Sequence, residues 1–264
     1  MTATSKIELR GVSKEFKTRE RSVLALQETN LSIREGEFVA LVGPSGCGKS
    51  TVLNMIAGLF SATTGEVYYD GQAVVSLNQR VGYMTQKDTV LPWRTVAQNV
   101  GLALELACRA VPMSLRKEKI ESVLEAVGLG GFKDAYPGQL SGGMRRRVAL
   151  ARLLIYEPET LLMDEPFGAL DAQLKLIMHD ELLRLTTARG MTVVFVTHDL
   201  SEAIALADRV IVFGGRPGAI KIQKDILIAR PRDVYRVRFV PQFAQLHEEL
   251  WDALKDEISA GTDV

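Results

Sequence analysis

The 264-residue chain carries 32 basic and 32 acidic residues and no net charge, so its overall field draws it neither to nucleic acid nor to an anionic membrane surface. That length suits one large domain, or a core with a smaller lobe, because single cores stop growing at roughly 250–300 residues. Cys47 and Cys108 are the only cysteines; without paired spacing they exclude a disulfide framework and a zinc site, read as structural thiols and fit a reducing compartment.

The opening residues 1–10 mix Lys6, Glu8 and Arg10 with polar neighbours and have no apolar h-region, so no secretory leader is expected. Nowhere do about 18 apolar residues run together; a soluble chain is expected, reaching a membrane only through a partner. β-rich runs occupy 7–12 and 23–33, and 38–42 is a continuous apolar stretch suited to a buried parallel strand. A helix is predicted over 49–59, with Gly58 near its end. Gly65 then opens a β segment through Val67, Tyr68 and Tyr69 to a turn at Asp70-Gly71, and 80–85 reads as a further strand. From 95 to 157 the apolar residues recur at helical spacing, with Leu115, Ile120, Val123, Leu124 and Val127 as a stripe, which predicts an all-helical insertion. Strands return at 160–163, 192–196 and 209–213, with helices over 172–189 and 200–207. The pattern is an α/β core interrupted by a helical lobe. In the tail beyond 230, an amphipathic helix over 241–258 puts Phe243, Leu246, Leu250 and Leu254 on one side, where docking onto the core is expected. No internal repeat or low-complexity segment is present.

Gly43-Pro44-Ser45-Gly46-Cys47-Gly48-Lys49-Ser50 matches G-x-x-x-x-G-K-[ST] between an apolar strand and a helix, the context that makes this pattern a phosphate site. Its glycines let backbone N–H groups converge on phosphate oxygens at a helix N-terminus, where the dipole already favours an anion. Lys49 is expected on the β- and γ-phosphates of ATP, the Ser50 hydroxyl on Mg²⁺, and Thr51 at the α-phosphate. The run Leu161-Leu162-Met163-Asp164-Glu165 is an apolar strand ending in two acids whose side chains alternate. Asp164 is the candidate for the metal shell, and Glu165 the candidate to orient and deprotonate the attacking water. Leu140-Ser141-Gly142-Gly143-Met144 precedes another helical pattern and forms a second corner with a hydroxyl and two glycines.

This set of motifs resembles the ATP-binding cassette of ABC transporters over nearly the whole chain. The resemblance implies a P-loop NTPase core with a mixed β-sheet, an antiparallel β subdomain and an inserted all-helical subdomain. It places an ATPase domain at 1–230, with the helical part at about 88–157, and a C-terminal extension at 231–264. It implies that Ser141, Gly142 and Gly143 complete the site of the opposite subunit in a head-to-tail dimer, of identical or closely related chains, that sandwiches two ATP molecules. In the same way Phe16 corresponds to the aromatic that stacks on adenine, Gln86 to the glutamine at the metal and attacking water, Ala169-Leu170-Asp171 to the D-loop, and His198 to the switch histidine at the γ-phosphate. Met144 stands where many members have Gln. With Arg146 it leaves an unbroken basic run, Arg145-Arg146-Arg147, whose charges oppose the helix dipole near its N-terminus and are expected to be offset by acids or nucleotide. His179 and His247 match nothing and read as surface or structural residues.

The resemblance also implies a membrane-embedded permease. The segment Val90-Leu91-Pro92-Trp93 is either the floor for its coupling helix or a plug between lobes. Together with Gly215-Arg216-Pro217-Gly218 and Ala229-Arg230-Pro231, that segment is similar to the ATPase subunits of bacterial nitrate, sulfonate, taurine and bicarbonate importers, which work at the cytoplasmic face of the cell membrane with a periplasmic binding protein and without nucleic acid. The alternatives are a non-transport cassette acting on DNA or ribosomes, which usually carries a long coiled coil or a second cassette, and a P-loop GTPase or kinase. The latter leaves Ser141-Gly142-Gly143 unexplained, and Thr85-Gln86-Lys87-Asp88 is only loosely similar to its guanine-reading element.

Overall fold

A computed structural model describes residues 5–17, 21–86, 89–106, 111–168 and 170–260. Cys108, Lys87, Asp88 and Ala169 lie outside the described residues. Two sheets form the frame. In the first, β1 (Ser5–Lys17), β2 (Ser22–Arg34), β4 (Thr64–Tyr69) and β5 (Gln72–Ala73) pair antiparallel in the order β2-β1-β4-β5. In the second, β3 (Phe38–Val42), β6 (Val81–Met84), β7 (Thr160–Asp164), β8 (Thr192–Val196), β9 (Arg209–Phe213) and β10 (Ile220–Asp225) take the order β10-β9-β3-β8-β7-β6. All of its pairs are parallel except β9 with β10.

The continuous apolar run of β3 has the cause expected of a parallel strand covered on both faces. Because strand side chains alternate, Phe38, Ala40 and Val42 enter a core shared with the helices, while Val39 and Leu41 enter a second core beneath the antiparallel sheet. The helix after β3, α1 (Lys49–Ile56), is shorter than the predicted 49–59. Gly58 adopts φ +71°, and Leu59 N–H and Gly58 N–H return to the carbonyls of Asn54 at 2.9 Å and Met55 at 3.1 Å. This Schellman stop needs a left-handed residue, and glycine takes that conformation without strain. β10 is a strand missing from the sequence reading; it alternates half-buried Ile220 and Ile222 with exposed Lys221 and Gln223, as an edge strand should.

Between β6 and β7 lie α2 (Val96–Leu106), α3 (Met113–Ala126) and α4 (Gly142–Leu154), with two short 3₁₀ turns. α5 (Ala172–Arg189) and α6 (Leu200–Leu206) link the later strands, and α7 (Pro241–Ala260) buries Phe243, Leu246, Leu250 and Leu254, the stripe expected to dock. Arg232 fastens the segment before α7. Its buried guanidinium donates to the carbonyls of Ile204 at 3.2 Å, Ala207 at 2.5 Å and Ile226 at 3.1 Å, satisfying the end of α6. Burial pushes this guanidinium down to about 10.

Candidate nucleotide site

The eight residues of the glycine-rich motif form the turn from β3 into α1. Gly48 is the N-cap of α1 at φ +91°, and Gly46 lies at φ +78°; side chains rarely tolerate either value. Lys49 is buried, and its ammonium donates to the carbonyls of Gly43 at 2.7 Å and Pro44 at 2.8 Å. The cation is thereby folded back across the loop. Cys47 is fully buried, which matches its reading as a structural thiol.

The two acids at the end of β7 separate for a reason beyond strand alternation. Asp164, the last strand residue, is buried, and the Ser50 hydroxyl donates to its carboxylate. Burial pushes the Asp164 carboxyl up, against the pull of Ser50 and Lys49. Glu165 leaves the strand at φ +45°, an uncommon conformation for a side-chain-bearing residue, and is pinned there by its N–H to the Val196 carbonyl at 3.0 Å. The turn brings three candidates together. Gln86 Nε2 donates to Glu165 Oε2 at 3.2 Å, and His198 Nδ1 lies 3.4 Å from the same oxygen. These three residues line a cavity of about 420 Å³ together with Gly142 and Arg146.

The serine corner is built differently. Ser141 is the N-cap of α4, and its Oγ accepts from Met144 N–H at 3.2 Å. Gly143 is buried, and a Cβ there would fall inside 3.0 Å of Leu174 on α5. Asp171 is likewise an N-cap, of α5, accepting from Leu174 N–H at 2.9 Å. Phe16 is half-exposed and packs edge-on against Phe60, with ring centroids 5.6 Å apart and the Lys14 ammonium above it.

The arginine run meets backbone carbonyls as well as the expected acid: the charge of Arg146 acts on Asp164, and carbonyls accept from all three side chains. Arg145 donates to Leu140 O at 2.7 Å, and Arg147 to Val127 O at 3.1 Å. Arg146 was missed as a site residue. It is buried and donates to Pro166 O at 2.5 Å, Gln86 O at 3.1 Å and Glu165 O at 3.2 Å, so one cation ties α4 to both segments that carry the facing Gln86 and Glu165 side chains. Its helical spacing from buried Gly143 and Leu150 was the available signal. Trp93 is 71% exposed, which removes the plug reading. His179 is buried against Phe167, and His247 stacks on Phe243, both structural placements.

A strand-to-helix phosphate loop, a buried acid bonded to its serine and a second acid held by Gln and His define a P-loop nucleoside triphosphatase. The comparisons narrow that class. The ABC transporter family profile matches residues 26–168, and the chain belongs to that family. It is 41% identical to the aliphatic sulfonates import ATP-binding protein SsuB of Bacillus cereus, over 81% of this chain and 83% of that one. To the nitrate import ATP-binding protein NrtD of Synechococcus elongatus it is 41% identical, over 92% and 89%. A dimeric ATP-binding cassette solved in a post-hydrolysis state with ADP and Pi superposes with a TM-score of 0.76 at 34% identity, covering 84% of this chain and all of that one. The protein is an ATP-binding, ATP-hydrolysing cassette of an importer-like group.

Proposed function

We propose that this chain is the ATPase subunit of a bacterial importer for a small oxyanion or related polar solute, of the sulfonate, nitrate, taurine or bicarbonate kind. Two copies, or this chain and a close paralogue, would meet head to tail beneath a permease at the cytoplasmic face of the cell membrane, fed by a periplasmic solute-binding protein. The sulfonate and nitrate import relatives support the solute class, and the dimeric cassette supports the pairing. Among the described residues no helix is long and apolar enough to cross a membrane, which fits a chain that takes its membrane contact from a partner. The exposed Trp93 turn, shaped by the buried Asn99 amide donating to the carbonyls of Leu91 at 3.1 Å and Arg94 at 3.0 Å, is the proposed permease contact.

The observation that carries the chemistry is the Gln86–Glu165–His198 contact beside the Ser50–Asp164 bond. In this reading the Gly43, Pro44, Ser45, Gly46, Cys47 and Gly48 backbone with Lys49 and Thr51 grips the phosphates, and Phe16 stacks on adenine. Glu165 accepts the proton of the water whose oxygen attacks the γ-phosphorus as the bond to ADP breaks. Gln86 and His198 hold Glu165 in place and face the phosphate. Ser50, Asp164 and Gln86 offer hard oxygen donors that suit Mg²⁺, which keeps water and phosphate ligands and needs no all-protein cage; among the described residues no cluster of three or more His, Cys, Asp or Glu forms one. Bound there, the ion neutralises phosphate charge. Ser141, Gly142, Gly143 and Asp171 serve the partner's nucleotide, and residues 231–264 form an extension to the ATPase domain at 1–230.

Glu165→Gln tests this. It should keep ATP affinity, lower turnover by about 100-fold or more, and accumulate a dimer in ATP on gel filtration. Wild-type turnover would remove Glu165 from the base role.

A further inference from the structure

The segment after β9 touches the phosphate loop from outside. Arg216 donates through Nη2 to Ser45 O at 3.2 Å, and a Cβ on Gly46 would fall well inside 3.0 Å of that guanidinium. The bare Cα of Gly46 is therefore what lets the guanidinium lie flat on the loop. Two residues on, Gly218 is closer still, since its Cβ would overlap the Cys47 carbonyl. Backbone bonds lock this approach. Gly218 N–H reaches Ala25 O at 3.1 Å, Gln27 N–H reaches Gly218 O at 2.8 Å, and Gly214 N–H reaches Ala219 O at 2.9 Å. The far side is held by α7, where Glu257 accepts from Gly215 N–H at 2.5 Å and pairs with Lys221.

We propose that Arg216 is a positioning residue for the phosphate cradle, and that Glu257 of α7 sets Arg216. A trans peptide points its C=O and the following N–H in opposite directions. Fastening Ser45 O to Arg216 therefore points the Gly46 N–H away from Arg216, from the opposite edge of the same peptide, towards where the proposed reading seats phosphate. The loop needs this help. It has three glycines at positive φ, and while Lys49 holds the Gly43 and Pro44 carbonyls from within, the next peptide, with Ser45 O, is the one that Arg216 holds from outside. Glu257 extends the hold to a helix some forty residues further along the chain. The inference rests on reading 43–51 as the ATP site.

The test compares wild type, Arg216→Ala and Glu257→Ala in full-length protein, using the fluorescent analogue mant-ATP for affinity and hydrogen exchange of the 43–50 segment without nucleotide. Arg216→Ala should weaken mant-ATP by about 10-fold, the worth of one charge-assisted hydrogen bond, and speed exchange of the loop with no nucleotide present. Glu257→Ala should do the same by about 3-fold, consistent with the loss of a weaker, indirect constraint. It carries the test alone should Arg216→Ala fail to fold. Unchanged affinity would overturn the proposal. So would weakened affinity with unchanged loop exchange, because that pattern means Arg216 touches the nucleotide directly. Failure of wild type to bind mant-ATP would defeat the ATP reading instead, which keeps the two failures apart.

Discussion

The two glycine-bearing corners of this chain are built on opposite plans. The 43–51 loop is closed on itself: Lys49 bonds its own carbonyls, Ser50 bonds Asp164, and Gly46 and Gly48 are pressed against Arg216 and the Ala25 carbonyl. At the serine corner the Ser141 hydroxyl only caps its helix, and a Cβ on Gly142 would meet nothing nearer than 3.8 Å. On the proposed reading, a corner clamped by its own chain holds ligand alone, and one left open on its outer face gains its contacts from a second chain. The first should therefore govern affinity, and the second the step that needs two chains.

Lys49→Ala should break the comparison most forcefully, weakening ATP binding by about 100-fold, since on the proposed reading this buried cation meets the phosphates. Calorimetric titration measures it, and unchanged affinity would make the closed corner a structural turn only. The next change concerns what lies beneath the open corner. Glu202 of α6 is buried, accepts from Thr197 at 2.7 Å, and faces Lys175 at 3.0 Å and His179 at 3.5 Å on α5, the helix whose Leu174 packs on Gly143. Burial pushes its carboxyl up, but His179, Thr197 and Lys175 together hold it down to about 2. A depressed carboxylate contributes stability above its unfolded value of about 4.3 and loses it as pH falls through that value towards 2. Glu202→Gln should cost about 2 kcal/mol near neutrality, and its difference in Tm from wild type should shrink as pH drops from 6 to 3. A difference that stays constant with pH would show that packing, not charge, holds α5 to α6. The mildest change is Ser141→Ala, which should cost about 1 kcal/mol as a lost N-cap and leave the ATP affinity of an isolated chain within about 2-fold, because it touches no group of the closed corner. Turnover should nevertheless fall in the dimer. Equal losses of affinity and turnover would erase the distinction between the corners.

Legibility in the sequence followed chain locality. The phosphate loop packs its chemistry into eight consecutive residues between a strand and a helix, so spacing alone exposes it. The acids of 164 and 165 were visible for the same reason, yet their divergence depends on the Glu165 backbone at φ +45°, which no pattern of side chains announces. Arg146 was hidden by its solution. A cation normally signals solvent or a carboxylate, and here the hydrogen bonds that fix its place include carbonyls 20, 60 and 19 residues away in sequence. β10 escaped because a short, half-buried edge strand with charged alternate positions has a weak apolar signature. Arg216 belongs to a segment that resembles importer ATPase subunits, but its contact with Gly46 exists only once β9 lies beside β3.

That placement of β3 carries a last consequence. Its five residues are all buried and are divided between two cores, so its amides can meet solvent only when both cores come apart together. A ligand seated at the end of such a strand is felt by the whole cooperative unit: saturating ATP should raise the midpoint of global melting by mass action, with β3 amides slowing in step, rather than merely quieting the turn it touches.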